Sequence, residues 1–370
     1  MFDLAVVGAG IVGLGHALAA ARRGLRVVVV DRDAQANGAS IRNFGLVVVS
    51  GQEPGPARQR AERSREIWLE LSEQAGIRIV HRGKLVVAQR AEALALLEAF
   101  RSLPDARGCR MLTAKETATH QPGLDPSRIA GGFHSPFELR VESREALPKL
   151  SAFLAERHGV TFRYGAAVTS IAPPAVETSR GQIRARRIVV CPGDDLVTLY
   201  PERIRAFDVQ RCKLQMLRLA VPAFRLRSAL ISDLSLLRYG GYAMLPEAAA
   251  LRRRLEREAA PALANGVHLI VVRSEDGSLV VGDSHHYGAT PDPFASDEVD
   301  SLILAEFSRL FAIVPAVVAR WTGTYASAPG HASFRDAPHD DVRVVMVTSG
   351  TGASTGFAIA EETIRDLFGS

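Results

Sequence analysis

The feature that most constrains the fold of this 370-residue chain is a glycine-rich turn near its start. The stretch "VVGAGIVG" places Gly8, Gly10 and Gly13 between an apolar strand predicted over 2–7 and a small-residue helix predicted over 11–23. Gly8 permits a tight turn, and Gly10 lets backbone N–H groups approach a pyrophosphate. Gly13 lets the helix pack closely on the sheet, so the pattern predicts a dinucleotide-binding βαβ unit.

The second strand of this unit, predicted over 25–31, ends in a carboxylate. Asp31 stands where such a unit accepts hydrogen bonds from ribose hydroxyls. Its neighbour Arg32, and Ile11 and Val12 at the start of the helix, complete the first candidate cofactor site. Both NAD and FAD carry the ADP group that this site would bind, so the first turn alone leaves the cofactor open.

A second glycine-rich helix start, "SGTGASTGFAIAE", lies at 349–361 after a buried strand predicted over 342–348. We expect it to hold another part of the same cofactor through glycines and hydroxyl side chains: Gly350, Thr351, Gly352, Ser354 and Thr355. The loop "NGASIRNFGLV" at 37–47 offers a hydroxyl for phosphate oxygens and residues that can lie against a flat ring: Ser40, Asn43, Gly45 and Leu46.

Composition argues against several other classes of protein. Apolar residues make up 47% and charged residues 23% of the chain, as in soluble globular proteins, and no apolar run is long enough to predict a membrane span. The net charge of +5 is interleaved with acidic residues, so we expect no nucleic-acid binding. The three cysteines form no disulfide or zinc pattern, which favours a cytoplasmic location, and buried thiols are expected at Cys191 and Cys212.

Four stretches together resemble the FAD-dependent D-amino-acid oxidase superfamily, the group of glycine oxidase and sarcosine oxidase. They are "VVGAGIVG" with Asp31, "GASIRNFG", "IVVCPG" ending in Gly193, and "WTGTYASAPG" leading to "VTSGTGASTGFAIAEE". The resemblance covers nearly the whole chain and implies FAD, with the second glycine turn at the isoalloxazine, Gly193 in the cofactor site and Val168 at the adenine. It implies a noncovalent flavin, since neither the 37–47 loop nor the tail turn contains Cys or His.

Strand and helix patterns alternate at both ends of the chain, and the middle is rich in strands. The fold class is therefore predicted to be α/β (a two-domain α+β arrangement), with a Rossmann-like FAD-binding domain and an inserted antiparallel-sheet substrate domain. The FAD-binding domain is predicted to take 1–78, 143–205 and 322–370, and the substrate-binding domain 79–142 and 206–321. Other predicted elements are a helix over 143–158 capped by Ser143, a charged helix over 247–264 and a hairpin turn at Asp276-Gly277.

The family's reaction is hydride transfer to the flavin from a carbon that bears an amine, after which the imine hydrolyses to a carbonyl compound. The resemblance thus implies a FAD-dependent amine oxidase or dehydrogenase, with a small anionic amine as substrate and oxygen or another electron acceptor as its partner. One departure bears on the substrate. Glycine-oxidase-like enzymes often have an arginine just after the W-x-G motif that clamps the substrate carboxylate, and this chain has Tyr325 there.

Other polar residues are candidates for holding the anion. Alternation on a strand over 209–217 puts Arg211 and Lys213 on one face, which meets either a cavity or solvent. The adjacent histidines of "GDSHHYG" point to opposite sides, and each is either a substrate contact or an ordinary surface or core histidine. The catalytic candidates are His285, Lys213 and Tyr325, and the substrate-binding candidates are Arg42, Arg211, Lys213, Tyr239, His285, His286 and Tyr325. No metal site is expected.

The set "GASIRNFG", "RCKLQM", "GDSHHYG" and "SGTGASTGFAIAEE" also resembles a subgroup associated with phosphonate degradation. This implies an aminoalkylphosphonate, such as N-methylated 2-aminoethylphosphonate, oxidised to an aldehyde and an amine. Several cationic donors suit a tetrahedral dianion better than one bidentate arginine. The alternatives are a glycine, sarcosine or D-amino-acid oxidase, a 2-hydroxy-acid oxidoreductase on the same fold, an NAD-linked dehydrogenase, and a flavin-binding subunit of a larger complex.

Overall fold

The structure is a computed structural model that describes residues 1–369. Its α-helices are α1 (Ile11–Ala21), α2 (Pro56–Gln74), α3 (Ala91–Arg101), α4 (Ala114–His120), α5 (Ser143–His158), α6 (Pro201–Arg205), α7 (Gly240–Ala243), α8 (Ala248–Glu258), α9 (Ala260–Ala264), α10 (Asp297–Leu310) and α11 (Gly352–Phe368). Short 3-10 helices lie at Ala39–Ile41, Pro104–Ala106, Pro126–Arg128 and Asp233–Leu237. No helix within the described residues is long and apolar enough to cross a membrane.

The strands form two sheets. They are β1 (Phe2–Val7), β2 (Val27–Asp31), β3 (Leu46–Val47), β4 (Ile79–Ala88), β5 (Arg110–Thr113), β6 (Gly131–Val141), β7 (Thr161–Tyr164), β8 (Val168–Ala172), β9 (Ala175–Thr178), β10 (Gly181–Val190), β11 (Gln210–Leu219), β12 (Ala229–Ser232), β13 (Ile270–Arg273), β14 (Leu279–Gly282), β15 (His286–Gly288), β16 (Val317–Ser327), β17 (Ser333–His339) and β18 (Val342–Val347).

The first sheet joins the two ends of the chain. It has eight strands in the order β17-β18-β10-β1-β2-β7, with β9 beside β10 and β8 beside β9. The pairs from β18 to β7 are parallel, and β17, β9 and β8 pair antiparallel. The carboxyl ends of parallel strands lie at one edge of a sheet, where α/β proteins bind their ligands. The turns after β1, β10 and β18 therefore meet at this edge, although they are far apart in sequence.

Helices from both ends of the chain cover one face of this sheet. α1 and α11 share an apolar core with α2, in which Leu14, Trp68 and Phe357 are buried. Trp68 is 1% exposed, and its indole N–H donates a 2.8 Å hydrogen bond to the carbonyl of Ala353. The indole thus ties α2 to the first turn of α11.

The second sheet is larger and mainly antiparallel. Its ten strands follow the order β15-β11-β14-β13-β12-β4-β6-β3, with β16 beside β11 and β5 beside β6. Only the β4–β12 pair among these strands is parallel in the described chain. The two sheets confirm the predicted fold class. Two strands cross the predicted domain limits. β3 lies within 1–78 but pairs with β6 of the second sheet, and β16 begins at Val317, before the predicted limit at 322.

Two local predictions need correction. α5 begins at Ser143, but its N-cap is Glu142, and the Ser143 hydroxyl instead donates to the Asn43 side chain at 3.1 Å. The region 247–264 forms two helices because α8 ends before α9 starts at Ala260. Proline lacks an N–H group and fits only the first turn of a helix, which explains the break before Pro261. The hairpin at Asp276-Gly277 is confirmed by the antiparallel pairing of β13 and β14.

A buried ion pair lies within the second sheet. Lys84 and Glu138 are fully buried, their charged atoms are 3.5 Å apart, and the ammonium also donates to the carbonyl of Ser50 at 2.7 Å. The Ser50 hydroxyl donates to the Glu138 carboxylate at 2.7 Å. Burial alone would lower the pKa of Lys84, but Tyr242 and Glu138 raise it above its usual value. Both groups therefore remain charged in the core.

Removing one partner should leave a buried charge without compensation. We expect Lys84→Met to lower the free energy of unfolding by about 3–5 kcal/mol. In the double variant Lys84→Met with Glu138→Gln, the free energy of unfolding should fall by less than the sum of the two single changes, because neither buried charge then remains. Urea unfolding followed by circular dichroism measures both effects. Lys115→Met, on an exposed lysine of α4, is the control and should change stability by less than about 0.5 kcal/mol.

Candidate active site

One pocket is lined by both glycine-rich turns. Residues predicted to hold the cofactor that line it are Gly10, Ile11, Val12, Gly13, Ser40, Asn43, Leu46, Gly193, Gly350, Thr351, Gly352, Ser354 and Thr355. The turns belong to opposite ends of the chain, but the parallel order of β18, β10 and β1 brings them to the same edge. A single elongated ligand can therefore contact both.

The first glycine turn has no room for side chains at its tightest point. A Cβ atom on Gly13 would lie 1.8 Å from the carbonyl oxygen of Gly8, and Gly8 itself has φ +104°. Asp31, at the end of β2, accepts a 2.6 Å hydrogen bond from the backbone N–H of Ala9. Sterics and this carboxylate together hold the turn open beside the N-terminus of α1, as pyrophosphate binding requires.

Hydroxyl side chains join the 37–47 loop and its continuation to both turns. Ser40 accepts a 3.0 Å hydrogen bond from the N–H of Ile11. Ser354 accepts one of 2.9 Å from the N–H of Val48. The Asn43 side chain is used within the loop, since its amide donates to the Ala39 carbonyl at 2.7 Å. These bonds fix the chain along one wall of the pocket.

Five predicted cofactor residues do not line the pocket. Gly8 and Gly45 have positive φ and shape turns, and Asp31 bonds the backbone beside the pocket. Arg32 forms an exposed 2.9 Å ion pair with Asp195. Val168 is buried in the apolar core on the other face of the first sheet. Their contact with a bound cofactor therefore stays a prediction.

The other end of the pocket is polar, and a row of residues across three strands builds it. Tyr287 on β15 and Tyr325 on β16 both pair with Cys212 on β11, so the three side chains share one face of the sheet. Arg238 donates to the hydroxyl of Tyr325 at 2.5 Å and to that of Tyr287 at 2.9 Å. The two tyrosines thus position one guanidinium.

This polar end adjoins the second glycine turn. A Cβ atom on Gly350 would be 3.4 Å from the Tyr325 ring, so ring and turn are in contact. Arg238 is exposed to the open pocket, although protein surrounds much of its side chain. Tyr239, Arg42 and Tyr325, three of the predicted substrate contacts, also line the pocket, and their contact with a substrate stays a prediction. Burial raises the pKa of Tyr239 to about 12, so its hydroxyl stays protonated near neutral pH.

Arg211 and Lys213, which were predicted to contact the substrate, lie outside the pocket. Their face of β11 is opposite to the Cys212 row, and neither residue lines the pocket. Arg211 donates to the carbonyl of Asp194 at 2.8 Å, and the Lys213 ammonium donates to the carbonyls of Asp292 and Phe294 at 2.8 and 2.7 Å. Backbone oxygens already bind the charge of Lys213, and its catalytic role stays a prediction.

The two histidines of "GDSHHYG" separate as alternation predicts. His286 lies outside the pocket, where its Nε2 is 3.1 Å from the Asn265 side chain, and its predicted substrate contact stays a prediction. His285 lines the pocket. Of the two cysteines expected to be buried, Cys212 is, whereas Cys191 is half-buried and lines the pocket.

A second group of titratable side chains faces the same end of the pocket. His268 and Asp283 exchange backbone hydrogen bonds of 3.1 and 3.0 Å, which puts their side chains next to each other. His285 lies two residues after Asp283 and on the same side, and its ring is stacked 4.5 Å from that of His268. One ligand atom from each of the three residues lies within 4.8 Å of the others.

Burial sets the charge of this group. It raises the pKa of Asp283 to about 7, an effect that the charge of Arg238 partly opposes. It also lowers the pKa of both His268 and His285 well below the usual value. Near neutral pH the histidines are therefore uncharged, and the carboxyl group is divided between its two protonation states.

Sequence reasoning missed three residues of this polar end. Arg238 stands beside the predicted substrate contact Tyr239, and Asp283 stands close to the histidines of "GDSHHYG". The available signal for Arg238 was its position next to a candidate pocket tyrosine. His268 lies in an ordinary apolar run and gave no signal, because only the register of two strands brings it to Asp283.

The pocket fits FAD, since its two glycine turns suit the pyrophosphate and the redox ring of one extended ligand. A family model described as FAD dependent oxidoreductase (DAO) matches residues 3–365. The chain belongs to this family of FAD-dependent oxidoreductases. This family match confirms that the enzyme uses FAD and that it is an FAD-dependent oxidoreductase, as predicted.

Curated relatives match parts of the enzyme. D-amino acid dehydrogenase from Chromohalobacter salexigens is 36% identical over 91 residues, which is 23% of this chain and 22% of that protein. The bifunctional protein ThiO/ThiG from Nostoc sp. is 27% identical over 236 residues, which is 60% of this chain and 34% of that protein. The chain thus matches about a fifth and about a third of the lengths of these relatives.

Among solved structures, glycine oxidase from Bacillus cereus superposes with a TM-score of 0.80 at 18% identity. The alignment covers 100% of this chain and 95% of that one. At this identity the likeness establishes the fold of the enzyme, and it agrees with the two-sheet architecture.

The first glycine turn and its carboxylate can be tested through FAD affinity. We expect Asp31→Ala to weaken FAD binding about 10- to 100-fold, because a hydrogen bond to a charged group contributes about 1.5–3 kcal/mol. Fluorescence titration of the dialysed apoprotein with FAD measures this, and removal of the flavin by dialysis also tests the predicted noncovalent attachment. Asp340→Ala, on an exposed loop, is the control. Equal affinities for both variants would exclude a ribose contact.

Proposed function

We propose that this enzyme oxidises the carbon–nitrogen bond of a small amine that also carries an anionic group. The observation that carries the proposal is the position of Arg238. Its guanidinium faces the pocket next to the Tyr325 ring, which itself contacts the second glycine turn. An anion bound by Arg238 would place the rest of a small substrate near the expected redox ring.

Arg238 also explains why the family's usual arginine can be absent from β16. The hydroxyl of Tyr325 is hydrogen-bonded to the Arg238 guanidinium, so a positive charge stands beside position 325 although the residue there is neutral. The missing arginine therefore gives no reason to exclude an α-amino acid. The phosphonate hypothesis likewise loses the support expected from Arg211 and Lys213, which bind backbone carbonyls.

The shared chemistry of the candidate substrates is an amine with a carboxylate or a phosphonate a few atoms away. Both anions accept charge-assisted hydrogen bonds from a guanidinium. The names of the similar proteins, glycine oxidase and D-amino acid dehydrogenase, favour the carboxylate. The resemblance to the phosphonate-associated subgroup favours 2-aminoethylphosphonate and its N-methyl form.

The residues of the enzyme supply position and exclude water. Bound FAD supplies a two-electron acceptor. Arg238 would hold the anion, the half-buried Tyr239 would wall the cavity, and residues of the second glycine turn, Gly350 to Thr355, would hold the flavin. Loss of two electrons and a proton from the carbon next to nitrogen leaves an iminium, and water converts it to a carbonyl compound and a free amine.

Anaerobic bleaching of the flavin absorbance tests the proposal. The yellow protein is mixed separately with glycine, sarcosine, D-alanine, 2-aminoethylphosphonate, its N-methyl form and 2-hydroxyglutarate. Reduction by any of the anionic amines supports the proposal, and the member that reacts fastest assigns the anion. Reduction by 2-hydroxyglutarate alone would contradict it and establish the hydroxy-acid alternative.

Replacing the guanidinium should affect anionic substrates selectively. We expect Arg238→Met to raise the dissociation constant of the reactive amine about 10- to 100-fold, since one charge-assisted interaction of about 1.5–3 kcal/mol is lost. Binding of the corresponding uncharged ester should change little. Stopped-flow flavin reduction at varied substrate concentration separates this effect from the limiting rate.

The control for this substitution is Arg252→Met on the exposed face of α8, which removes the same charge far from the pocket. It should leave the dissociation constant unchanged. A larger loss of affinity in Arg211→Met than in Arg238→Met would refute the assignment of the anion to Arg238.

A further inference from the structure

The side chains of His268, Asp283 and His285 form a group that the proposed function has not used. The three side chains are each at most 6% exposed at the residue level, and they line the pocket that Arg238 also faces. Charged or orphaned polar groups at such depth cost stability unless something binds them. Their arrangement therefore calls for a partner in the pocket.

The hydrogen-bonding pattern shows what kind of partner is missing. His285 Nδ1 lies 3.0 Å from the carbonyl oxygen of Gly266, which can only accept, so this nitrogen carries the proton. In the neutral ring Nε2 then presents a lone pair, and it lies 3.6 Å from Asp283 Oδ2. Two lone pairs that face each other need a donor between them or beside them.

Other polar atoms of the group also lack partners. Asp283 Oδ1 and both ring nitrogens of His268 have no hydrogen-bond partner among residues 1–369, and His268 Nδ1 is 3.3 Å from Asp283 Oδ1. A carboxylate and two neutral imidazoles thus converge on one point with acceptor capacity to spare. Such a site binds a group with several N–H donors and a positive charge.

We propose that His268, Asp283 and His285 bind the ammonium group of the substrate and that Asp283 takes its proton before the carbon–nitrogen bond is oxidised. This inference rests on the proposed function, and it gives the two ends of a zwitterionic substrate separate receptors. Arg238 holds the anion, and the Asp283 group holds the ammonium.

The proton transfer is needed because an ammonium nitrogen has no lone pair with which to form a carbon–nitrogen double bond. One N–H bond of the ammonium breaks, its electron pair stays on nitrogen, and the proton forms an O–H bond on Asp283. Ammonium and carboxylate become amine and carboxylic acid, so the net charge is unchanged. The amine then stands ready to lose two electrons and a proton from its neighbouring carbon.

A metal ion would fit the same three ligand atoms, but the surroundings favour a monocation. Arg238 is close enough to lower the pKa of both histidines and of Asp283, so its positive charge offsets the negative charge of the single carboxylate and leaves no excess negative charge for a dication. The titratable and charged groups around Asp283 are His268, His285, Arg238, Tyr239 and Cys212. No second carboxylate is among them to neutralise a metal's charge.

The pH dependence of flavin reduction tests the inference in the wild-type holoenzyme. Burial raises the pKa of Asp283 to about 7, and only the ionised form accepts the proton. The second-order rate constant for reduction should therefore rise about tenfold per pH unit below about pH 7 and level off above it. The pH at which the rate constant levels off should be the same for two reactive amines whose own pKa values differ. A levelling-off pH that follows the pKa of the amine would overturn the proposal.

The matched variants are Asp283→Asn and Asp208→Asn. Loss of a positioned base should slow reduction at pH 7 by about 10²-fold or more. The remaining rate in Asp283→Asn should keep rising up to the amine's own pKa, about 8 to 10, because only free amine then reacts. Asp208→Asn changes an exposed side chain outside the pocket and should keep the wild-type profile.

The outcomes separate this inference from the proposed function. If no anionic amine reduces the wild-type flavin, the proposed function fails. If amines do reduce it but Asp283→Asn retains the wild-type rate and profile, only the proton acceptor fails. One equivalent of zinc in purified wild-type protein and none in Asp283→Asn, measured by elemental analysis, would also overturn the inference, since the three side chains would then be ligands.

Discussion

Close packing of α1 against α11 is the constraint on which the rest of the structure depends. A Cβ atom on Gly15 would lie 3.2 Å from the Phe357 ring and 3.3 Å from the carbonyl of Gly356, so the two helices touch where neither has a large side chain. This contact sets the N-termini of both helices at one edge of the first sheet. Because each N-terminus carries partial positive charge, the pair forms a site for an extended anionic ligand.

The polar end of the pocket is organised by charged side chains rather than by helix geometry. Arg238 and Asp283 carry opposite charges, and the register of the second sheet fixes each of them through its neighbours. Tyr287 and Tyr325 hold the arginine, whereas backbone pairing with His268 holds the aspartate. Under the proposed function a zwitterion would match this arrangement better than an anion or a cation alone, because it would supply an opposite charge to both Arg238 and Asp283.

The sequence predicts the first sheet and the two glycine turns of the pocket. It predicts only some of the residues at the polar end. Local patterns found the glycine turns because Gly8, Gly10 and Gly13 act over a few residues. Alternation also separated Lys213 from its neighbours correctly, but it cannot say which face of a strand meets the cavity. That choice depends on β15 and β16, which put tyrosines on the opposite face. His268 could not be predicted from sequence, because only the tertiary structure brings it next to Asp283.

Position 325 shows how one electrostatic requirement can be met from two places in a fold. In glycine-oxidase-like relatives an arginine near this position would bring its own charge, whereas here a tyrosine hydroxyl accepts from an arginine that comes from the 3-10 segment before α7. The guanidinium is therefore held by two hydroxyls. A guanidinium restrained in this way loses less freedom when a substrate binds, and under the proposed function its position would select the length of a zwitterionic substrate that can reach both it and Asp283. Substrate choice would then be governed by the spacing of two charges rather than by the presence of one arginine.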